Sequence, residues 1–271
     1  MITKKNINQD VTLNKVIIFE NRIKIWIYFN NKEKTLPVSS SKNITFYIIA
    51  MVVNMEGIIL NFIEEMKKLI YYLGKENVII SIVETGDSKD KTRDYLKEFK
   101  TYLDKNKIIN KFILRREVED PRKKIHPFRK YGPLSIKFYS KLRNKYLDFI
   151  YEIPNLNFEN TKIIIFNDIY YQYEDIINLI STNNENYDAV CALDFDKYFY
   201  DRWVSIDLDG NSLLKNFLFI VNKEAQDQIL NHKPFRVFSC WNGVIVFTAA
   251  PFKNKTFQFR YTKKIKKRNI K

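Results

Sequence analysis

Glycine, cysteine and histidine are scarce in this chain of 271 residues, which carries six glycines, two cysteines and two histidines. Each shortage excludes a class of function. No G-x-G-x-x-G turn and no G-x-x-x-x-G-K-[ST] loop is present, so the glycine-rich cradles for dinucleotides and nucleoside triphosphates are absent. Cys191 and Cys240 cannot by themselves build a structural zinc site. Both lie in apolar, strand-like runs, which reads as buried free thiols rather than a disulfide. His126 and His232 are isolated, each close to a proline in polar surroundings, as surface histidines are. No Ser/His/Asp or Cys/His arrangement accompanies them, which argues against nucleophilic hydrolysis.

Long apolar runs are also lacking. Residues 1–10 have no apolar core of a signal peptide. The longest apolar run, residues 44–53, falls far short of the roughly 20 residues that span a bilayer. The expectation is a chain that is soluble or has lost an anchor; its compartment is left unknown, with cytoplasmic or soluble favoured.

What is present points to a folded domain with a basic surface. Hydrophobic residues make up 45% and aromatics 15%, enough to bury a core. The formal net charge is +15. Nine basic residues and no acidic one fall between Pro121 and Lys145, and a second cluster closes the chain at residues 263–268. Such patches attract nucleic acid, anionic lipid or nucleotide phosphates, or are simply a lysine-rich solvated surface. A binding module for nucleic acid or an anionic surface is therefore a rival reading. It lacks the aromatic-basic signature of known RNA-binding modules, so no nucleic-acid partner is expected.

Periodicity divides the chain. Residues 11–19 and 22–29 alternate apolar and polar positions around Glu20-Asn21, as a β-hairpin does, and residues 30–42 read as a linker. From residue 44, buried strands alternate with helices: strands at 44–53, 77–83, 111–114, 161–166 and 188–193, helices at 56–73, around 95–103, 134–150 and 170–181. This predicts an α/β fold, a mainly parallel sheet covered by helices on both faces, from 44 to about 260, with a basic tail at 261–271.

Polar residues gather where these strands end. Thr161-Lys-Ile-Ile-Ile-Phe166 runs into Asn167-Asp168. Open α/β sheets bind ligands at the carboxyl ends of their strands. A carboxylate there is suited to Mg²⁺ or Mn²⁺ carrying a diphosphate, but the same pair also reads as an N-cap for the next helix. The loop Glu84-Thr-Gly-Asp-Ser-Lys-Asp90-Lys-Thr92 follows another strand, with Asp90 placed to cap a helix. Arg143-Asn144 offers a guanidinium fork suited to phosphate. Asp194, Trp203, Asp207 and the corner Cys240-Trp241-Asn242-Gly243 combine carboxylates with aromatic rings, the pairing that binds sugars; Leu208-Asp209-Gly210-Asn211 reads as a turn.

In this order, Val53-Asn-Met-Glu56, the 84–92 loop, Arg143-Asn144, Phe166-Asn-Asp168, Tyr200-Asp-Arg-Trp-Val204 with Asp207 and Gly210, and Ser239-Cys-Trp-Asn-Gly243 with Pro251-Phe252 resemble the fungal capsule-associated α-1,3-mannosyltransferases, glycosyltransferase family 69. The resemblance spans about residues 46–260. It implies a GT-A (Rossmann-like) fold and metal-dependent, retaining transfer of a hexose from a nucleotide sugar, GDP-mannose above others, to a glycan or other hydroxyl acceptor. By that similarity Asp168 holds Mn²⁺ or Mg²⁺. Asn54, Glu56, Glu84, Asp90, Arg143, Asn144 and Asn167 bind the donor. Trp203, Trp241 and Asn242 line the sugar and acceptor side, and Asp194 and Asp207 are the catalytic candidates. The chain departs from the family at Ile206, where an arginine is usual. Against the family pattern, the N-terminal membrane anchor and the Ser-Glu-Cys segment are not found in these 271 residues, which leaves a non-catalytic nucleotide-sugar-binding relative as the alternative expectation; the basic tail is a candidate contact with anionic membrane.

Overall fold

The computed structural model describes residues 25–27, 43–84, 88–115, 133–193, 195–196, 198–199, 205–214, 218–241, 243–255 and 257–260. Its frame is an eight-stranded sheet. In chain order the strands and helices are β1 (Ile25–Ile27), β2 (Thr45–Val52), α1 (Ile59–Leu73), β3 (Val78–Glu84), α2 (Thr92–Lys105), β4 (Ile109–Ile113), α3 (Pro133–Leu147), β5 (Thr161–Phe166), α4 (Tyr173–Ile180), β6 (Ala189–Cys191), a short antiparallel ribbon β7–β8 (Phe195–Asp196, Tyr198–Phe199), α5 (Lys223–Leu230), β9 (Phe235–Val237) and β10 (Val244–Thr248). The sheet order is β4-β3-β2-β5-β10-β6-β1-β9.

The first four of these strands are mutually parallel. Their sequences explain why: β3 and β5 are buried along their whole length, as strands covered on both faces must be. Side chains alternate across the sheet, so Tyr47 and Ala50 of β2 face opposite sides. On Tyr47's side lies α3, whose Tyr146 carbonyl accepts the Tyr47 hydroxyl at 3.0 Å. On Ala50's side, shared with its register partner Phe166, lies α1, whose Phe62 ring meets Phe166 edge-on at 5.9 Å. Helices thus cover both faces, as the strand–helix alternation predicts. Helix α1 buries Ile59, Phe62, Ile63, Met66, Leu69, Ile70 and Leu73, a stripe at helical spacing, and stops at Gly74, whose φ of 83° ends the helical path.

Three expectations change. The described part of the N-terminal hairpin, Ile25–Ile27, is a strand of the main sheet, parallel to β6 and antiparallel to β9; residues 11–19 and the linker at 30–42 lie outside the described residues. The helix expected from 170 starts at Tyr173, after Gln172, and neither Asn167 nor Asp168 caps it. Instead Glu65 on α1 accepts the Tyr173 N–H at 2.9 Å, so the cap comes from a neighbouring helix. Finally, Cys191 and Cys240 are not free thiols: they form a disulfide with their Cα atoms 6.5 Å apart. Forty-nine residues separate them in sequence, and only the antiparallel return of the chain beside β6 brings them together.

Candidate functional site

The carboxyl ends of β2, β3 and β5 lie side by side, because these strands are adjacent and parallel. Two loops at this edge are laced together. Asn54 sits at φ 51°; its side-chain oxygen accepts the Lys89 N–H at 2.8 Å and its own N–H donates to Ser88 Oγ at 3.0 Å. The Met55 N–H donates to Thr92 Oγ1 at 2.7 Å. Asp90 accepts the Glu56 N–H at 2.9 Å with one oxygen and the Thr92 N–H at 3.1 Å with the other, so it ties the first loop to the start of α2, although the cap position is Lys91 and not Asp90 as expected. Asn54, Glu56, Glu84 and Asp90 are therefore brought to one edge, where their polar groups are spent largely on fixing the loops.

Glu84 is fully buried at the end of β3. Its carboxylate accepts the Ser88 N–H at 2.8 Å and the Arg93 Nε–H at 2.7 Å. Desolvation pushes this carboxyl up, but the hydrogen bonds from Arg93 and Ser88 outweigh it and hold it below the ordinary value. Arg93 was not singled out from the sequence. Its signal is its position: the second residue of α2 lies above the end of the strand before it.

Arg143 and Asn144, adjacent on α3, do different things. The Arg143 guanidinium lies 3.9 Å from the centre of the Trp241 ring and 5.8 Å from that of Tyr139. Its Nε is buried without a hydrogen-bond partner, and no carboxylate pairs with it among the described residues. Desolvation lowers it to about 10, which leaves it charged at neutral pH. Asn144 is committed to the backbone of Phe259: its amide donates to the Phe259 carbonyl and accepts the Phe259 N–H, both at 2.8 Å. Phe259 in turn meets Trp241 edge-on at 6.0 Å. Trp241 is buried, with Arg143 on its face, so it offers no open ring to a sugar.

The strand-end pair lies against the same corner. The Asn167 N–H donates to the Gly243 carbonyl at 2.6 Å, two residues past Trp241, continuing the β5–β10 register of Phe166 with Val244. Asn167 Oδ1 is buried without a partner among the described residues. Asp168 is exposed at its residue surface, yet the protein around its carboxyl desolvates it enough to raise it above the ordinary value.

Asp207 is placed as a hub. It is fully buried and accepts N–H groups from Asp209 at 3.0 Å, Asn211 at 2.8 Å and Asn222 at 3.1 Å, and the Asn211 side-chain amide at 3.2 Å. The turn read at 208–211 closes over it. Asp194, Trp203 and Asn242 lie outside the described residues, as does His126; His232 lies after α5, at φ 53°.

The family model described as Cryptococcal mannosyltransferase 1 matches residues 45–270. The chain belongs to that family. It is similar to the Alpha-1,3-mannosyltransferase CMT1 of Cryptococcus neoformans var. neoformans serotype D (strain JEC21 / ATCC MYA-565), at 25% identity over 241 residues, 82% of this chain and 50% of that protein. The chain thus spans about half the length of that relative. Among solved structures it matches S. aureus TarS 1-349 at 19% identity and a TM-score of 0.32, over 51% of this chain and 32% of that one, a likeness too slight to carry an argument.

In this member of the cryptococcal mannosyltransferase family, the strand-end chemistry suits a divalent cation in a limited way. Among the described residues no three His, Cys, Asp or Glu side chains cluster as a closed metal cage. Asp168 and the unpartnered Asn167 oxygen are hard oxygen donors, and Mg²⁺ or Mn²⁺ commonly takes one or two protein oxygens and completes its shell with substrate phosphate and water. The residues present fit a metal that arrives with a diphosphate. A separate cleft of about 600 Å³ opens between β4 and the end of α3, lined by Lys111, Lys145, Tyr146, Phe149 and Glu152 among others, and contains none of the candidate residues.

Proposed function

We propose that this chain is a metal-dependent glycosyltransferase that moves a hexose, mannose from GDP-mannose above others, to a glycan or other hydroxyl acceptor, with retention and in α linkage. The observation that carries the reading is the end of β5, where Asn167 Oδ1 is buried with no partner among the described residues beside the desolvated carboxyl of Asp168, with the Arg143 guanidinium, unpaired among the described residues, on the Trp241 segment that precedes the Gly243 tie to Asn167. A carboxylate raised by desolvation and a cation with no counter-ion among the described residues are each incomplete alone. A diphosphate with a divalent cation supplies what both lack. Family membership supports the same class of reaction.

In this reading Asp168, helped by Asn167, holds Mn²⁺ or Mg²⁺, whose charge would neutralise the leaving diphosphate. Arg143 donates to a phosphate oxygen and stays protonated as negative charge grows there. The laced loops of Asn54, Glu56 and Asp90 form a rigid shelf for the nucleoside, and Glu84 fixes that shelf from below. Asp207 has its oxygens occupied by four N–H donors, so we infer that it shapes the sugar side rather than attacking. Asp194 then stands as the carboxylate candidate beside the sugar, with same-face attack guided by the leaving phosphate as the other route.

Thermal-shift screening of GDP- and UDP-sugars with and without Mn²⁺ tests this. Stabilisation by one donor, dependent on metal and lost in Asp168→Ala together with transfer, is expected. Full transfer by Asp168→Ala would sink the assignment.

A further inference from the structure

We propose that the Cys191–Cys240 disulfide is a positioning element of the donor site: it fixes Trp241 so that its ring carries Arg143 in place. This rests on the donor-site reading above and adds to it a residue pair that touches no substrate.

The β6–β10 ladder stops short of Trp241. Strand β6 has three residues, and its pairing with β10 ends at Cys191 opposite Ile245. Trp241 lies before β10, outside the named strands, in an isolated bridge. This segment is tied at one end by Ser239, whose carbonyl accepts the Ile206 N–H at 2.8 Å, and at the other by Gly243 through Asn167. Between these ties the covalent link to Cys191 is placed at Cys240, directly before Trp241. Both sulfurs belong to fully buried residues, so the link is continuous with the core.

What the ring carries is what needs fixing. Arg143 has no carboxylate to set its direction among the described residues, and its Nε has no acceptor. Its guanidinium is positioned by the face of Trp241 at 3.9 Å, with Tyr139 more distant at 5.8 Å. A guanidinium over an indole face gains from the ring's negative face, but only while that face is held square to it. A phosphate-binding cation that is pre-aimed in this way loses less freedom on binding than one that must be ordered by the ligand. The order of dependence is therefore Cys191–Cys240, then Trp241, then Arg143.

The test compares wild type, Trp241→Ala, the double variant Cys191→Ala with Cys240→Ala, and the triple variant. Each is first shown to be folded by far-ultraviolet circular dichroism and held well below its own thermal midpoint. The probes are GDP and UDP with Mn²⁺, read by calorimetry, together with the KM and kcat of transfer from the matching sugar nucleotide. Wild type is expected to bind one probe. The disulfide-free variant should bind it about ten-fold more weakly, about 1.4 kcal/mol. Trp241→Ala should lose a similar factor, and the triple variant no more than either, because the losses share one route. The loss should appear mainly in KM. Unchanged binding in the disulfide-free variant, or losses that multiply in the triple variant, overturns the proposal. So does a chain that cannot fold without the bridge even as Cys191→Val with Cys240→Ala, since the bridge then serves the whole fold. Wild type that binds neither probe overturns the donor reading itself, a result distinct from the others.

Discussion

Arg143 lies over Trp241 with 3.9 Å between guanidinium carbon and ring centre, and no carboxylate shares that cation among the described residues. A half-buried arginine is normally paired. Here the ring face lowers the cost of holding, at the edge of the core, a cation that is unpaired among the described residues.

Replacing it separates geometry from charge. Arg143→Lys keeps the charge and loses the planar fork and the stack. Its expected effect is at least a ten-fold rise in donor KM with a thermal midpoint close to wild type. Arg143→Ala should lose more activity and retain the fold. Steady-state kinetics beside a melting curve decides this, and an unchanged KM in Arg143→Lys would falsify the phosphate role.

Asp168 should show the trade of stability for function. Desolvation raises its carboxyl, so its ionised form at neutral pH opposes folding in the absence of a cation. Asp168→Asn should therefore melt at a temperature equal to or above that of metal-free wild type. Mn²⁺ with a nucleoside diphosphate should stabilise wild type and leave the variant unmoved. Differential scanning calorimetry with and without the ion reads both halves.

The ion pair of buried Glu84 with the partly exposed Arg93 sets an acid limit. Its folded-state carboxyl is held below the ordinary value of 4.5, so its contribution is complete above that value and is lost as pH falls through the lowered folded value. Removing the partner with Arg93→Ala takes the counter-ion from a buried carboxylate that keeps its Ser88 hydrogen bond and should cost about 2 to 3 kcal/mol near neutral pH. Glu84→Gln should flatten the acid limb of a pH–stability profile. Urea melts at a series of pH values measure both.

Asp207→Ala strands the N–H donors of Asp209, Asn211 and Asn222. A loss of at least about 3 kcal/mol is expected, visible as a lowered denaturation midpoint before any assay of transfer. Asp207→Asn, which keeps an acceptor oxygen, should lose less. A variant that is inactive at wild-type stability would instead return this residue to the chemistry.

Reduction offers an independent stability test. Closing a span of 49 residues constrains the unfolded chain by about 4 kcal/mol in the chain-entropy model. A reductant strong enough to open the bridge should lower the denaturation midpoint accordingly. Such bridges are characteristic of oxidising compartments, which sets the disulfide against the cytoplasmic expectation drawn from composition.

What the sequence determined by itself was what depends on local pattern. Strands β2, β3 and β5 are apolar on both faces and alternate with helices that carry one apolar stripe, so the parallel sheet and its two covered faces follow from periodicity. Asn54, Glu84, Asp90 and Asn167-Asp168 fall just after strands in the chain, and residues that follow parallel neighbours must gather at one edge. What only the tertiary structure decided is what depends on which distant segments meet. The Cys191–Cys240 bridge, the clasp of Asn144 on Phe259, the cap that Glu65 lends to α4 and the stack of Arg143 on Trp241 join residues that no period relates. The antiparallel return of β10 between β5 and β6 brings the bridge and the Trp241 corner into place. That return also places the corner beside Asn167-Asp168, the strand end that the sequence alone left open between a helix cap and a metal site.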